Sequence, residues 1–185
     1  MPIHTLHFAP AACAPNHPRW PVILYLGAIP ADEDAARAFE TRFAAHGWQG
    51  GWRGEVYPYV HYHAHAHEVL GVARGRARLR LGAEAGRTVE VGPGDGILLP
   101  AGTAHQCLSA TADFEVVAAY PPGQSPDLQT APATEAQRRA IADLPAPPTD
   151  PLLGTGGAVA AHWAGHPPVS AGSGKLATLS RERLS

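Results

Sequence analysis

His61-Tyr62-His63-Ala64-His65-Ala66-His67-Glu68, running on into Val69-Leu70-Gly71-Val72-Ala73-Arg74-Gly75, is the stretch on which the reading of this chain turns. Four histidines and one carboxylate fall within its first eight residues. Neither a hydrophobic core nor a solvated surface asks for that density of imidazole, whereas imidazole and carboxylate together are donors for a first-row transition metal. Extended chain sends alternate side chains to opposite faces, so His61 and His63 share a face about 7 Å apart, close enough to chelate one ion. Tyr57 and Tyr59 have the same parity. If the strand ran straight on, His65 and His67 would join them and Glu68 would turn away. If Ala64 to His67 form a connection, Glu68 opens an antiparallel neighbour and faces back at the same ion. Leu70 and Val72 would then line the interior with Glu68, and this apolar parity favours the second geometry.

A further donor is expected from a distant strand, and Gly94-Asp95-Gly96-Ile97-Leu98-Leu99-Pro100-Ala101-Gly102-Thr103-Ala104-His105 supplies it. A strand ends at Pro100, Ala101-Gly102 turns, and His105 enters the next strand. Around these two stretches, residues 52–120 read as short strands between glycine turns. Arg76, Arg78 and Arg80 alternate with Ala77, Leu79 and Leu81, a half-buried strand with its arginines in solvent. Thr88 to Val91, Ile97 to Leu99, His105 to Ser109 and Phe114 to Tyr120 complete the set. Strands this short, recurring about every ten residues, favour an all-β barrel or sandwich over an α/β fold.

The flanks follow. His4 to Phe8 reads as a short edge strand. Pro10, Pro15, Pro18 and Pro21 keep the next stretch extended, as an arm. Val22 to Ala28 is apolar enough for a buried strand. A helix is expected from Pro30 to about His46, with Asp32, Glu33 and Asp34 in its first turn, Phe39 and Phe43 on one face and Gly47 beyond its end. Thr134-Glu135-Ala136-Gln137 is a capping box opening a second helix that ends near Asp143. Pro145 to Gly157 reads as irregular. The expected organisation is one domain over 1–163: a proline-rich arm (1–30), a helix (31–46), the barrel core (52–122) and a C-terminal wrap (123–163), with an irregular tail over 164–185.

His61-x-His63-x4-Glu68-x6-Gly75 and Gly94-x5-Pro100-x-Gly102-x2-His105 resemble the two signature motifs of the cupin superfamily. Two departures stand out: Ser109 where the second motif closes with Asn, which binds no metal, and Glu55 where the first opens with Gly. Pro15-Asn16-His17-Pro18, Gly47-Trp48, Trp52-Arg53, His67-Glu68-Val69-Leu70-Gly71-Val72, Tyr120-Pro121-x-Gly123-Gln124 and Asp150-Pro151-x-x-Gly154 further resemble the YjlB-like subgroup of bacterial cupins, over residues 14–163. The resemblance implies a single-domain cupin, a double-stranded β-helix or jelly-roll barrel with one or two flanking α-helices. It implies His61, His63, Glu68 and His105 as ligands of one divalent transition metal per chain, whether Fe, Mn, Ni, Co or Zn. It also implies a homodimer, to which the proline arm could contribute by strand exchange.

On this reading the expected function is a mononuclear metalloenzyme acting on a small polar molecule, with oxygen-dependent, dioxygenase-like chemistry favoured. The alternatives are metal-dependent isomerase or decarboxylase chemistry, and a non-catalytic binding or sensing protein with a structural metal. His67 and Tyr59 are the candidate catalytic residues, His67 as a neighbour of the ligands or a proton shuttle, Tyr59 as a cavity wall beside Tyr57. His65 is expected to be a bystander in the connection. Cys107 shares the parity of His105 and is expected to face the interior. Two isolated cysteines, Cys13 and Cys107, read as reduced thiols. A net charge of −2 gives no bulk attraction to nucleic acid. No apolar run reaches membrane length and no signal segment is readable, so a cytoplasmic protein is expected. Gly172-Ser173-Gly174-Lys175 is no phosphate loop, with Val169 where Gly is required and Leu176 in place of Ser/Thr.

Overall fold

Val22-Ile23-Leu24-Tyr25 is apolar at every position, which suits a strand covered on both faces. In the computed structural model, which describes residues 1–30, 33–163 and 178–179, this segment is such a strand. The strands in chain order are β1 (Ile3–Leu6), β2 (Val22–Tyr25), β3 (Gln49–Gly54), β4 (Glu68–Arg74), β5 (Ala77–Leu81), β6 (Arg87–Val91), β7 (Gly96–Leu99), β8 (His105–Ala110), β9 (Glu115–Tyr120) and β10 (Thr178–Leu179). The helices are α1 (Ala35–Ala45), α2 (Glu135–Asp143) and α3 (Ala158–His162). One sheet runs β1-β2-β7-β4-β9-β3 and the other β10-β6-β5-β8. Apart from β10, which lies parallel to β6, every pairing is antiparallel. The result is the expected single-domain all-β sandwich with flanking helices.

Period-2 alternation divides the core. Leu70 and Val72 of β4, Leu24 of β2 and Ile97 of β7 turn inward and meet Leu79 and Val89 of the second sheet. Val69 of β4, Ile23 of β2 and Val117 of β9 turn outward against α1 and Trp163. Phe39 and Phe43 of α1 are fully buried there. Gly71 is required by close approach, since a Cβ there would stand 2.4 Å from the Phe39 ring. Losing the Phe39 ring would cost about 3–5 kcal/mol.

α1 starts later than the acidic triplet suggests. Asp34 is its N-cap, accepting a hydrogen bond from the Arg37 N–H, so Glu33 and Asp34 precede the helix; Asp32 lies outside the described residues. Gly47 follows the helix with φ of 81°, the left-handed conformation a C-terminal stop uses. α2 matches its expected span, with both hydrogen bonds of the Thr134–Gln137 capping box present. β3 was not apparent because Gln49-Gly50-Gly51 carries no alternation; it pairs with β9 at the sheet edge. α3 lies in the C-terminal wrap, just beyond the stretch to Gly157 that reads as irregular. The Trp163 indole N–H donates to the Pro21 carbonyl, and the ring stacks on Trp20 at 5.1 Å. The tail expected over 164–185 lies outside the described residues, Thr178–Leu179 excepted.

Both cysteines are free thiols and half-buried. Cys107 packs against the inner core as its parity suggests, and burial pushes its thiol pKa up. Arg78 and Arg80 point away from the core while Ala77, Leu79 and Leu81 are buried. Among the described residues no helix is long and apolar enough to cross a membrane.

Candidate metal centre

Glu68 opens β4 at one end of the sandwich, with the inward parity of Leu70 and Val72. His105 opens β8 in the facing sheet, so the two side chains meet across the interior. His61 is placed by a pair of backbone hydrogen bonds with His105, at 3.2 and 2.9 Å. Here the structure departs from the expected geometry. Tyr57 to His63 do not form a regular strand; His61 and Tyr62 make single bridges, to His105 and Gln129. Glu68 is not in a strand paired with His61–His63, because the neighbours of β4 are β7 and β9. The His61 segment lies at the rim of the second sheet, bridged to the start of β8 at His105. Ala64 to His67 form the crossing between sheets, as the second geometry requires.

Donor atoms of His61, His63 and His105 all lie within 4.8 Å of one another. Glu68 Oε2 stands 3.3 Å from His105 Nε2 and 3.4 Å from His63 Nε2. Glu68 is fully buried, His61 and His105 are buried and His63 is nearly so.

The hydrogen bonds behind the rings set the chemistry in front of them. His61 Nδ1 meets the Tyr59 carbonyl at 3.1 Å, His105 Nδ1 meets the Thr103 carbonyl at 3.1 Å, and His63 Nδ1 meets the Asp127 carbonyl. A carbonyl only accepts, so each Nδ1 carries a ring proton and each imidazole, when neutral, keeps its lone pair on Nε2. That is why Glu68 Oε2 is buried with no hydrogen-bond partner although two nitrogens lie within 3.4 Å. Its other oxygen is satisfied: the Tyr120 hydroxyl donates to Oε1 at 3.0 Å, and the Trp52 indole N–H donates to that hydroxyl at 2.8 Å.

Without a cation the carboxylate instead favours a proton on the imidazoles that face it. Burial alone would raise the pKa of Glu68, but His105 and His63 outweigh it and hold the carboxylate ionised. Burial, with His105 close by, lowers His61 to about 3. Burial would also lower His63, but Glu68 and the Asp127 carbonyl raise it overall. Burial and the Glu68 charge push the Tyr120 hydroxyl well above its usual range, so it stays a donor. The cluster therefore attracts one positive charge to the point where Oε2 and the Nε2 atoms meet.

The centre forms the floor of a cavity of about 220 Å³, whose wall includes Trp52, Tyr57 and Tyr120. Tyr59 contributes its carbonyl to His61, while its ring stacks on Tyr57 at 4.9 Å, outside the cavity lining. His67 is fully buried on the other side of the crossing. Its Nδ1 accepts from Ala101 N–H at 2.9 Å, its Nε2 meets the Pro145 carbonyl at 3.1 Å, and its ring packs on Trp20 and Trp163. His65 is exposed beside Asp127. A larger apolar groove, about 490 Å³ between the proline arm and α2, carries Arg138 as its one titratable side chain among the described residues.

Asp127, Tyr120 and Trp52 escaped the sequence reading. Asp127 clasps the crossing: its carboxylate accepts from Ala64 N–H at 2.8 Å and His65 N–H at 2.9 Å, while its carbonyl orients His63. Nothing in Ser125-Pro126-Asp127 signals that. Tyr120 was within reach, because it continues the inward parity of Val116 and Ala118.

A cupin-domain family profile matches residues 50–120. The chain is 37% identical over 142 residues to the uncharacterised protein YjlB of Bacillus subtilis strain 168, covering 76% of this chain and 84% of that one. Among solved structures it is similar to acireductone dioxygenase from Bacillus anthracis with a cadmium ion in its active centre, at 16% identity and a TM-score of 0.35, covering 60% of this chain and 78% of that one. It is also similar to RmlC from Streptococcus suis in complex with dTDP-D-xylose, at 15% identity and a TM-score of 0.32, covering 76% and 96%.

Proposed function

This chain belongs to the cupin family, in its YjlB-like group, and from that premise we propose that it is a mononuclear metalloenzyme acting on a small polar molecule, with oxygen-dependent chemistry favoured. The observation that carries the reading is the buried, unpartnered Glu68 Oε2 facing imidazole nitrogens whose protons are committed elsewhere. An ionised carboxylate buried against electron-rich nitrogens costs several kcal/mol unless a cation joins it. The residues thus fit a divalent first-row ion, which His61, His63, His105 and Glu68 would hold. When bound, such an ion supplies Lewis acidity and, if redox-active, a path for electrons between substrate and oxygen.

The remaining work falls to the chain. The carbonyls of Tyr59, Thr103 and Asp127 fix the tautomer and aim of the three imidazoles. The Trp52–Tyr120 pair holds Oε1 so that Oε2 faces inward. Val56 and Leu70 make part of the cavity apolar, which limits water beside the reacting atoms. His67, hydrogen-bonded at both ring nitrogens away from the cavity, anchors the crossing that delivers Glu68.

Elemental analysis of protein purified anaerobically from its own host, followed by oxygen-uptake screening against small polar molecules, tests the reading. About one metal per chain with uptake on at least one compound is expected. Stoichiometric metal without uptake on any compound would leave a binding protein with a structural ion. Absence of metal, with none taken up on titration, would remove the centre itself.

A further inference from the structure

We propose that the cavity above the metal centre selects a small organic ammonium, its cationic end held over Trp52 and Tyr57 beside Glu55 and its uncharged end directed to the centre. The inference rests on the metal-centre reading and adds the substrate's charge class to it.

Charge and ring surface carry it. Among the described residues no lysine or arginine lines the cavity, whereas Glu55, Glu68 and Asp127 do. A divalent ion with Glu68 would leave one positive charge on the floor, which the other two carboxylates more than cancel. A substrate with a free anionic end would therefore enter against the local field and find no fork to receive it. The arginines nearest in sequence are engaged elsewhere. Arg53 follows Trp52 on β3, so it takes the opposite face, where its guanidinium pairs with both Glu40 oxygens at 2.6 and 2.7 Å. Arg78 and Arg80 lie on the outer face of the second sheet.

The wall supplies what a cation uses. Trp52 is 38% and Tyr57 48% exposed, large values for aromatic side chains lining a cavity. The Trp52 indole N–H is spent on Tyr120 and the Tyr120 hydroxyl on Glu68, so those residues offer ring faces rather than polar ends. Ring faces beside a carboxylate are the chemistry that holds ammonium groups. Asp127 has its carboxylate occupied by Ala64, His65 and Gln129. Glu55 is exposed at the mouth, and among the described residues its carboxylate takes part in no hydrogen bond or ion pair, so it is the anion available to a ligand. About 220 Å³ admits a molecule the size of choline and not a nucleotide-linked sugar.

The test uses the cobalt-loaded full chain and three thiols, followed by the near-ultraviolet thiolate-to-cobalt band: thiocholine, its uncharged isostere 3,3-dimethylbutane-1-thiol, and 2-mercaptoethanesulfonate. The quaternary nitrogen of thiocholine cannot itself bind the metal and a sulfonate binds it poorly; because the ammonium also acidifies the thiol, each affinity is referred to the thiolate concentration. Thiocholine is expected to bind about tenfold tighter than the isostere, with 2-mercaptoethanesulfonate weakest. Glu55→Gln and Tyr57→Leu, both at exposed positions, are each expected to reduce the advantage of thiocholine over the isostere severalfold. Equal or tighter binding of the isostere or of 2-mercaptoethanesulfonate, or an advantage that survives both substitutions, would overturn the proposal. If the chain takes up no cobalt, the metal-centre reading fails separately, and calorimetry with choline on the metal-free chain decides the ammonium site. Binding abolished by Glu55→Gln supports it, and no binding overturns it.

Discussion

Two groups of histidines lie on either side of the crossing from His61 to Glu68, and they are wired in opposite senses. Behind the crossing, His17 and His67 pack with Trp20 and Trp163. Backbone N–H groups point at their Nδ1 atoms: Arg19 and Trp20 at His17, Ala101 at His67. Their protons therefore sit on Nε2, which in His67 meets the Pro145 carbonyl and in His17 points toward Ile141 without reaching hydrogen-bond geometry. In front of the crossing, carbonyls meet Nδ1 of His61, His63 and His105, and the Nε2 lone pairs are left facing Glu68. Density of histidine is thus not what makes a metal centre. The backbone group behind each ring decides whether it offers a lone pair to the interior or spends it on the fold.

The largest expected effect breaks the front group alone. Glu68→Ala or His63→Ala is expected to take bound metal from about one per chain to near zero by elemental analysis, and retained stoichiometry would refute the assignment. The same measurement on His67→Ala is expected to find the metal still bound. That variant should instead lose about 2–4 kcal/mol of stability in denaturant titration, since it removes a buried ring and leaves the Ala101 N–H and the Pro145 carbonyl unpaired.

Acid sharpens the contrast from the other side. Burial, then the neighbouring His67 and Arg19, lowers His17 to about 3, and burial lowers His67 to about 4. Below pH 6.5 the unfolded chain takes up protons that these folded rings refuse, so their contribution is fully present above pH 6.5 and is lost as pH falls toward 4 and 3. The loss expected from His17 between pH 6.5 and 4.5 is about 2 kcal/mol. His17→Asn keeps an acceptor near the place of Nδ1 and cannot titrate, so the loss of stability between the two pH values should shrink by about that amount in that variant, the remainder coming from rings such as His67. The smallest effect lies behind Glu68. Tyr120→Phe removes the donor to Oε1 and is expected to weaken metal affinity about tenfold in competition with a chelator, without changing the melting temperature of the metal-free protein by more than a few degrees.

The motif spacing made His61, His63, Glu68 and His105 legible together, because chelation demands several donors and the β period places them. Parity also divided β4 and β5 correctly into inward and outward residues. Three things were not written in any local pattern. His61 pairs with His105 rather than with the strand of Glu68, a choice set by which sheet each segment joins. The strand β3 is glycine-rich and exposed, so neither alternation nor propensity marks it. The partners of the imidazole Nδ1 atoms are main-chain carbonyls, which every residue possesses, and the opposite roles of His63 and His67 cannot be told from side-chain identity four positions apart.

Long-range nitrogen–proton correlation spectra of the metal-free protein near neutral pH, with each histidine assigned by single substitution, read those tautomers directly. His61, His63 and His105 are expected to carry the proton on Nδ1, and His17 and His67 on Nε2. Protonation of the first three on Nε2 would contradict a centre whose lone pairs are set by the backbone before any metal arrives.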